Sequence, residues 1–348
     1  MNDRFLRACR RQSVDATPVW FMRQAGRYMA DYRALRQRYT LLDICRHPEL
    51  SVAVTLQPVD LIDVDAAILF SDLLLPLVPM GLELDFVKGE GPSIANPVRC
   101  AADVERLRQY DARDGLSYVL DTVRMLRTEL AGRVPLIGFA GAPFTVAAYA
   151  IEGGPSTTYA RTKALMYGDP AAWHRLCEKL AAFMLDYLRA QIEAGVQAVQ
   201  VFDSWAGALG RTDYREFALP HTKTIFDGLR GTGVPAIHFG VATTAILPDL
   251  ADAGGDVIGV DWRQPIDQAW QSLGTGRAVQ GNLDPCLLLG PRERMLSAAD
   301  DVLRRVNGRS GHIFNLGHGV LPSTPLEHVQ LLARHVHEAS QLMLNAER

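Results

Sequence analysis

The sequence predicts an α/β protein, folded as a single (β/α)8 barrel with insertions in its N-terminal half. Two observations predict this fold: eight short apolar runs of β-forming residues occur along the chain, and segments with helical periodicity separate them. Strands that are apolar along their whole length, each followed by a helix, pair in parallel and need both faces covered. Eight such units form a closed barrel, for which roughly 250 residues are typical and which insertions lengthen.

The eight predicted strands are short and are spread over the whole chain. They occupy residues 18–22, 66–70, 135–140, 198–202, 235–239, 257–260, 278–280 and 312–315. The first three intervals between strands are long, whereas those after residue 235 are short, which places the insertions in the N-terminal half. One inserted segment, residues 82–98, predicts a turn-rich hairpin from its Gly89, Gly91, Pro92, Asn96 and Pro97.

Two of the predicted helices have particular support. Residues 171–194 place apolar side chains three or four positions apart, so we expect one buried stripe: Trp173, Leu176, Cys177, Leu180, Met184, Tyr187, Leu188 and Ile192. The last helix is expected to have Thr324 as its N-cap, Pro325 at its first position and Glu327 at its third. This spacing is typical of a capping box.

A chain of 348 residues has room for two average domains or for one large barrel. No Ser/Gly-rich linker, internal repeat or low-complexity tract divides the sequence, so we expect one domain over residues 1–348. The alternative architecture is an open doubly wound sheet. That fold predicts a phosphate-binding glycine fingerprint after an early strand, and neither a G-x-G-x-x-G nor a Walker pattern occurs.

Composition excludes several classes of protein. Hydrophobic residues make up 48% of the chain, which supplies a large core and excludes disorder as the main state. The 36 basic and 39 acidic residues give a net charge of −3, which lacks the positive field of a general nucleic-acid binder. Only four of the basic residues are lysines, which leaves 36 − 4 = 32 arginines, and we attribute most of this excess to overall composition.

Cysteine usage and the N-terminus indicate the compartment. The five cysteines are scattered and form no C-x-x-C pair, which favours a reducing compartment over a disulfide framework. Residues 1–11 are polar and charged rather than an apolar signal core, and no apolar run approaches the roughly 18 residues that span a bilayer. We therefore expect a soluble, cytoplasmic protein with no membrane partner.

Catalytic groups of a parallel barrel lie at the carboxyl ends of its strands, so the residues after each strand are the first candidates. Arg23 and Arg27 follow the first predicted strand four positions apart, and a helical turn there would direct both guanidinium groups the same way. Each is a planar fork of donors suited to a carboxylate or a phosphate. The alternative is that the two arginines tie the N-terminal segment to the barrel.

Four further candidates each have a functional and a structural interpretation. Asp72, after the second strand, could supply a catalytic charge or cap the next helix. Tyr149 could line a site or lie in the core with its hydroxyl bonded. Ser204 could contact a ligand or belong to a turn. His318 lies between two glycines and is harder to explain by packing.

The motifs of metal sites and covalent hydrolases are not found. His335 and His337 are two positions apart on a predicted helix and therefore diverge. There is no H-E-x-x-H motif, and no cysteine lies near a strand-end histidine. Ser204 lacks the G-x-S-x-G context of a hydrolase nucleophile. We therefore expect no metal.

Six segments together resemble a known family. They are PVWFMRQAGRY at 18–28, FSD at 70–72, GFAGAPFT at 138–145 running on to Tyr149 and EGG at 152–154, FDSWAG at 202–207, GNLDP at 281–285 and NLGHG at 315–319. In this order they are similar to the signatures of the uroporphyrinogen decarboxylase family. The resemblance covers nearly the whole chain, from about residue 5 to beyond residue 325, and the arginine motif is its most specific part.

The resemblance implies a single-domain barrel, a homodimer and an enzyme of porphyrin and heme biosynthesis that needs no cofactor. Its expected substrate is uroporphyrinogen III, a flexible macrocycle whose four acetate side chains are decarboxylated to methyl groups, giving coproporphyrinogen III and four CO2. The family's substrate-binding positions fall on Arg23, Gln24, Ala25, Gly26, Arg27, Asp72, Tyr149, Ser204 and His318. Of these, the resemblance implies catalytic roles for Asp72, Arg23, Tyr149 and His318.

The residue types fit this chemistry. Loss of CO2 from an acetate leaves an electron pair, which a pyrrole can accept if its ring carbon is first protonated, so no metal or prosthetic group is required. A carboxylate such as Asp72 can accept hydrogen bonds from pyrrole N–H groups and stabilise the positive charge. Arg23 and Arg27 would hold substrate carboxylates. The ring proton could come from Arg23, from His318 or from a bound water.

Two other functions compete with decarboxylation. A corrinoid-linked methyltransferase of the same superfamily would bind zinc through an H-x-C pair, but the corresponding strand here contains His238 followed by Phe239 and Gly240. A non-catalytic tetrapyrrole carrier would bind the macrocycle without reaction. Such a carrier has no need of a carboxylate at the centre of the macrocycle.

Overall fold

The computed structural model describes residues 2–87, 91–274 and 276–346. Within them, seven strands form one curled parallel sheet in the order β1-β4-β5-β6-β7-β8-β9. These strands are β1 (Ala67–Ile68), β4 (Leu136–Gly141), β5 (Ala198–Asp203), β6 (Ala236–Gly240), β7 (Val257–Gly259), β8 (Ala278–Gln280) and β9 (His312–Ile313). The α/β class, the parallel pairing and seven of the eight predicted strands are therefore confirmed.

The prediction of a regular strand at residues 18–22 was wrong. Val19 makes an isolated parallel bridge with Phe314, and its carbonyl oxygen accepts from the Asp65 amide at 2.7 Å. A ladder does not extend further because the Val19 amide donates to the Asp65 carboxylate (2.7 Å) and Pro18 has no amide hydrogen. The segment still lies between Phe314 and Asp65, on the edges of β9 and β1.

The predicted hairpin at residues 82–98 is confirmed. Strands β2 (Leu84–Val87) and β3 (Gly91–Ile94) pair antiparallel, with Leu84 opposite Ile94. Asn96 closes the open end of the hairpin, because its side chain donates to the Gly81 carbonyl and accepts from the Glu83 amide. Gly89, one of the predicted turn residues, lies outside the described residues.

Helices follow most strands and cover the outer face of the sheet. The described α-helices are α1 (Arg4–Cys9), α2 (Ala30–Arg38), α3 (Leu41–Arg46), α4 (Pro48–Leu61), α5 (Ala101–Arg106), α6 (Ala112–Gly115), α7 (Ser117–Glu129), α8 (Pro143–Glu152), α9 (Ala160–Gly168), α10 (Pro170–Ala194), α11 (Arg211–Asp213), α12 (Leu219–Leu229), α13 (Leu247–Ala253), α14 (Ile266–Leu273), α15 (Arg292–Val306) and α16 (Leu326–Ala346). Short 3₁₀ turns lie at Leu75–Leu77, Ala206–Ala208, Thr244–Ile246 and Pro285–Leu289, and one π-helical turn lies at Tyr214–Ala218.

Helix α10 matches its prediction from residues 171–194 closely. The Asp169 side chain caps its N-terminus by accepting from the Ala172 amide at 2.9 Å, and Gly195, with φ of 119°, ends it. Most of the predicted stripe is buried, including Trp173 and Leu176, while Ile192 is partly buried. The helix packs against α7, α8 and α12, so the stripe joins β4 and β5 to their helical layer.

The capping box predicted for the last helix was wrong. Helix α16 begins at Leu326, so Pro325 precedes it rather than occupying its first position. The Thr324 hydroxyl is buried and has no hydrogen-bond partner among the described residues. A cap requires the side chain to reach the amides of the first turn, and a start two residues after Thr324 puts it out of register for that bond.

Helix α1 packs against one end of the sheet. Its buried Phe5 and Cys9 contact a cluster that contains Trp20 and the first residues of several strands, among them Ala198 and Ala278. This covers the amino ends of the strands and leaves their carboxyl ends open. No helix in the described ranges has the length and apolar character needed to cross a bilayer.

Candidate active site at the carboxyl ends of the strands

A cavity of about 600 Å³ lies at the carboxyl ends of the strands. Six of the residues singled out from the sequence line it: Arg23, Ala25, Asp72, Tyr149, Ser204 and His318. They come from loops and helices that follow different strands, separated by up to 295 positions along the chain (318 − 23). The parallel arrangement of the sheet brings them together, because it directs all strand ends to one edge.

Asp72 lies four residues after β1, and its two oxygens have different surroundings. Oδ1 accepts from the Leu74 amide at 2.9 Å and so supports the approach to the 3₁₀ turn Leu75–Leu77, but the N-cap of that turn is Leu74 and Asp72 does not cap it. Oδ2 makes no hydrogen bond to any described residue. Burial raises the pKa of Asp72 to about 6, although the Leu74 amide and the charge of Arg23 act in the opposite direction. One carboxylate oxygen therefore remains available in the cavity.

Arg23 reaches the cavity through a turn, and the expected helical turn across residues 23–27 was wrong. Its backbone has a left-handed φ of 59°, so residues 21–29 form bends and turns instead. The side chain of Arg23 passes over Gly319, where a Cβ atom would come within 2.4 Å of the arginine Cδ. Gly319 is therefore the residue that leaves room for the Arg23 side chain.

Three residues of the arginine motif do not line the cavity: Gln24, Gly26 and Arg27. Gln24 is fully buried and braces the turn, since it accepts from the Phe21 amide (3.1 Å) and donates to the Ala66 carbonyl (3.0 Å). Gly26 has no room for a side chain, because a Cβ would lie 2.9 Å from the Arg23 carbonyl oxygen. Arg27 is exposed and does not line the cavity, so only one of the two arginines of the motif does.

Tyr149 on α8 forms one wall of the cavity with an aromatic partner. Its ring stacks on Trp205 at 3.7 Å between centroids, and burial raises the pKa of its hydroxyl above the ordinary value. One turn earlier on α8, Thr145 donates to Asp203 Oδ1 (2.9 Å) and accepts from the Trp205 amide (3.1 Å). These bonds join α8 to the end of β5 and hold the segment that presents Ser204.

His318 is neutral at physiological pH. Burial and, to a smaller extent, the positive charges of Arg23 and Arg263 together lower its pKa to about 4. Its Nδ1 accepts from the Gly319 amide at 2.7 Å, so Nε2 bears the hydrogen and is a donor. Gly317 approaches the backbone of Trp262 so closely that a Cβ would lie 2.3 Å from its nitrogen. The two flanking glycines thus serve packing, and His318 faces the cavity.

Sequence reasoning missed several residues that line the cavity. Phe139, Phe202 and Phe239 contribute an apolar surface with edge-on ring contacts of 5.6 and 6.1 Å. Their position could have identified them, because each lies near the carboxyl end of its strand, where the site was expected. Lys163 and Trp205 also line the cavity. Nothing in the local pattern marks Lys163, which lies on α9 rather than directly after a strand.

No group of three or more His, Cys, Asp and Glu side chains that could hold a metal ion occurs among the described residues. His238 points away from the cavity into the helical layer, where its Nδ1 donates to the Leu250 carbonyl at 3.0 Å. His335 and His337 diverge as expected, pairing with Asp300 and Asp65 respectively.

The parallel sheet and the polar cavity at its carboxyl ends define an α/β protein of the TIM-like class with an enzyme-type site. A family model described as "Uroporphyrinogen decarboxylase (URO-D)" matches residues 1–339. The chain belongs to the uroporphyrinogen decarboxylase family.

Similar proteins agree with this family. The chain is 58% identical over 347 residues to the uroporphyrinogen decarboxylase of Sorangium cellulosum, covering 100% of this chain and 99% of that protein. It is 54% identical to that of Carboxydothermus hydrogenoformans, with 98% of each chain covered. Among solved structures, a methyltransferase from Methanosarcina mazei has a TM-score of 0.77 at 21% identity, covering 97% of this chain and 98% of the other. At that identity the likeness concerns the fold alone.

Proposed function

We propose that this chain is the enzyme that decarboxylates the four acetate side chains of uroporphyrinogen III to methyl groups, giving coproporphyrinogen III and four CO2 in porphyrin and heme biosynthesis. The names of its full-length relatives support this function. The observation that carries it is Asp72, a partly buried carboxylate with one oxygen that accepts no hydrogen bond from the described residues, in a cavity that also contains Arg23.

Each decarboxylation consumes one proton and releases one CO2. Protonation of the pyrrole ring carbon next to the one that bears the acetate gives an iminium-like cation. The bond between the acetate methylene and its carboxylate then breaks, CO2 leaves, and the electron pair forms an exocyclic double bond that neutralises the cation. Protonation of the exocyclic carbon and loss of the ring proton give the methyl-substituted pyrrole. The reaction requires stabilisation of a transient positive charge, which no cofactor need supply.

Asp72 is the group proposed to stabilise that charge. Two unit charges about 4 Å apart interact by about 4 kcal/mol at an effective dielectric constant near 20. If the attraction is realised only in the transition state, it accelerates the reaction about a thousandfold. With a pKa of about 6, Asp72 is mainly ionised at pH 7 and can also accept hydrogen bonds from pyrrole N–H groups. The cavity thus supplies the charge where the mechanism needs it.

The remaining cavity residues bind and orient the macrocycle. Arg23 is proposed to hold the carboxylate of the reacting acetate, while Tyr149, Ser204 and the Nε2–H of His318 supply polar contacts, with Ala25 against the ring. Because the pKa of His318 is lowered to about 4, this residue carries no spare proton at pH 7. The proton donor in the proposal is therefore Arg23 or a bound water.

Gln24, Gly26 and Arg27 act differently in the proposal. Gln24 and Gly26 contribute to binding by maintaining the turn that presents Arg23. Arg27 is proposed to hold carboxylates that extend beyond the cavity. Burial raises the pKa of Tyr32, with the charges of Arg36 and Arg27 acting in the opposite direction, and the Tyr32 ring contacts Phe70 of the cavity at 5.5 Å between centroids.

The finer architecture is also part of the proposal. We infer that residues 18–22 take the place of an eighth strand and close a (β/α)8 barrel, supported on one side by the Phe314 amide donating to the Pro18 carbonyl (2.9 Å) and the Trp20 amide to the Phe314 carbonyl (3.4 Å), and on the other by the Asp65 amide donating to the Val19 carbonyl (2.7 Å). The hairpin β2–β3 and helices α2–α7 would then be the N-terminal insertions in one domain over residues 1–348. A cytoplasmic homodimer without cofactor or metal completes the proposal, as the family resemblance implies.

The zinc-dependent methyltransferase alternative is not favoured. Its histidine ligand would have to be His238, whose ring lies in the helical layer rather than in the cavity. The solved methyltransferase supports only the fold. A tetrapyrrole carrier remains the alternative to distinguish by turnover, since a carrier would bind the macrocycle and leave its acetates intact.

The direct test is anaerobic incubation of the protein with uroporphyrinogen III. We expect coproporphyrinogen III and CO2 in a ratio of about one to four, from the stoichiometry of the reaction, with the products resolved by chromatography. Treatment with a metal chelator should leave the rate unchanged. Binding of the macrocycle without release of CO2 would instead identify a carrier, and dependence on added zinc would restore the methyltransferase alternative.

A further inference from the structure

Lys163 brings a second positive charge to the wall of the cavity. Among the described residues that line it, two have basic side chains, Arg23 and Lys163, while Asp72 is acidic. Arg27 lies outside this wall. A substrate with many carboxylates needs more than one cationic contact, because each carboxylate that leaves water must be paired. The cavity therefore contains a charged group to which the functional proposal has assigned no role.

The structure holds Lys163 in place from its backbone. Thr162, its neighbour at the start of α9, is fully buried and donates both its amide (2.9 Å) and its hydroxyl (2.8 Å) to Glu152 Oε1 at the end of α8. These two bonds fix the first turn of α9 to the C-terminus of α8. A side chain on a secured helical turn loses less entropy on binding a ligand than one on a free loop.

The ammonium group of Lys163 is also directed inward. Nζ donates to the carbonyl oxygen of Ala208 at 2.7 Å, in the 3₁₀ turn Ala206–Ala208 that follows β5. Gly207 of this turn lies against the backbone of residues 241–242, where a Cβ would come within 2.3 Å of the Val241 carbonyl oxygen. The position of Ala208 is therefore fixed by packing. Its carbonyl oxygen accepts from one of the three N–H donors of Lys163, which leaves the other two for a ligand.

Arg23 and Lys163 lie on different sides of the cavity. Arg23 passes over Gly319, which follows β9, whereas Lys163 contacts the turn that follows β5. Strands β6, β7 and β8 separate β5 from β9 in the sheet. One bound carboxylate could not contact both cations across that separation, so the two residues serve different carboxylates of the same ligand.

We propose that Lys163 is a substrate-binding residue that holds a carboxylate of the macrocycle other than the reacting acetate, and so helps to determine which acetate is presented to Asp72 and Arg23. This inference rests on the proposed function and deepens it. A charge-assisted hydrogen bond from the ammonium group to that carboxylate adds to or replaces the bond to Ala208. The contribution is to binding of the ground state and transition state alike.

The test is steady-state kinetics with uroporphyrinogen III for Lys163→Met and Lys163→Arg. Loss of one charge-assisted hydrogen bond should raise KM roughly ten- to hundredfold in Lys163→Met with kcat within about threefold, and Lys163→Arg should recover most of the loss. Raising the ionic strength should raise KM less in Lys163→Met than in the wild type, because one screened attraction is gone. Partially decarboxylated intermediates should also accumulate in a changed proportion.

Lys223→Met is the matched control. Lys223 lies on α12, pairs with Asp227 at 3.3 Å and does not line the cavity, so its replacement removes a charge without touching the site. The thermal midpoints of both methionine variants should match the wild type. A KM of Lys163→Met equal to that of Lys223→Met would overturn the proposal, and so would a loss confined to kcat.

Failure of the functional proposal would give a different result. If the wild type released no CO2, the role of Lys163 would be decided by equilibrium binding of coproporphyrinogen III under anaerobic conditions. Weaker binding by Lys163→Met than by Lys223→Met would then support a carboxylate-binding lysine in a protein that is not a decarboxylase. Equal binding by the two variants, or no binding by the wild type, would reject it.

Discussion

Asp65 and Asp72 lie at opposite ends of strand β1 and have opposite surroundings. Asp65, at the amino end, is fully buried and accepts from four donors among the described residues: the Val19 amide, Asn2 Nδ2, Arg4 Nη1 and His337 Nε2, at 2.6 to 3.2 Å. Asp72, at the carboxyl end, accepts one hydrogen bond from the part of the chain that the structure describes, that of the Leu74 amide. The first carboxylate is saturated by the protein, while the second is left with capacity for a ligand.

The difference shows how one fold separates stability from chemistry. Asp65 joins the N-terminal segment, residue 19 and helix α16, so its charge is compensated and its geometry is fixed. The charge of Asp72 is undercompensated, which is why burial raises its pKa to about 6. At the amino ends of parallel strands a charge serves stability, and at the carboxyl ends it serves the ligand.

The largest expected effect is on turnover in Asp72→Asn. Loss of the charge should lower kcat about a thousandfold, following the interaction of about 4 kcal/mol estimated above. Folding should survive, because asparagine can still accept from the Leu74 amide and avoids burying a charge. The thermal midpoint at pH 7 should be at or above that of the wild type. Release of CO2 and calorimetry measure the two effects.

Asp284→Asn is the matched control for that variant. Asp284 also accepts from the amide two positions ahead, that of Cys286 at 2.9 Å, before a 3₁₀ turn, but it does not line the cavity. Its replacement should leave turnover unchanged. Comparable CO2 release by the wild type and Asp72→Asn would show that Asp72 serves only the local turn through its bond to the Leu74 amide.

The next effect is on stability in Asp65→Ala. Removal of this carboxylate leaves the Val19 amide and His337 without their buried partner, so we expect a loss of about 3 kcal/mol in the free energy of unfolding. Asp63→Ala provides the comparison, since Asp63 is exposed and contacts His337 at 3.2 Å. Denaturant unfolding of both variants measures the difference. Equal losses would mean that Asp65 is no more structural than its exposed neighbour.

A smaller effect is expected in the pH dependence of activity. Because Asp72 must be ionised and its pKa is about 6, kcat/KM should fall as the pH is lowered through about 6 and reach roughly a tenth of its plateau near pH 5. The residual activity of Asp72→Asn should lack this acid limb. An acid limb retained unchanged in Asp72→Asn would assign it to the substrate or to another group.

The smallest effect concerns the pH dependence of stability at the other end of β1. Burial acts to lower the pKa of His337, but its hydrogen bond to Asp65 and the charges of Asp65 and Asp63 outweigh burial and raise it. The stabilisation is therefore complete below the unfolded value of about 6.5 and is lost as the pH rises through the folded pKa. The thermal midpoint should decline over this range in the wild type and be flatter in His337→Gln. His335→Gln, on the same helix, should retain the wild-type decline.

Much of the fold followed from patterns that are local in sequence. Seven of the eight predicted strands and helix α10 were found because apolar runs and a three-to-four periodicity record which faces are buried. The exception, residues 18–22, was misjudged because the Asp65 side chain takes the Val19 amide, a contact between residues 46 positions apart. The start of α16 was misplaced because a capping pattern in the sequence does not fix where a helix begins: α16 starts at Leu326, and the buried Thr324 hydroxyl has no hydrogen-bond partner among the described residues.

The sequence by itself determined the residue types at the strand ends and, through its motifs, the family. Arg23, Asp72, Tyr149, Ser204 and His318 could be named because parallel strands direct their ends to one edge. Only the tertiary structure decided which of them share a cavity. The structure placed Arg27 outside the cavity wall, because a left-handed conformation at Arg23 replaces the expected helical turn. It placed Lys163 on the wall, because α9 packs against the end of α8 and directs this side chain inward. These outcomes depend on backbone turns and on contacts between distant segments, which residue spacing does not record.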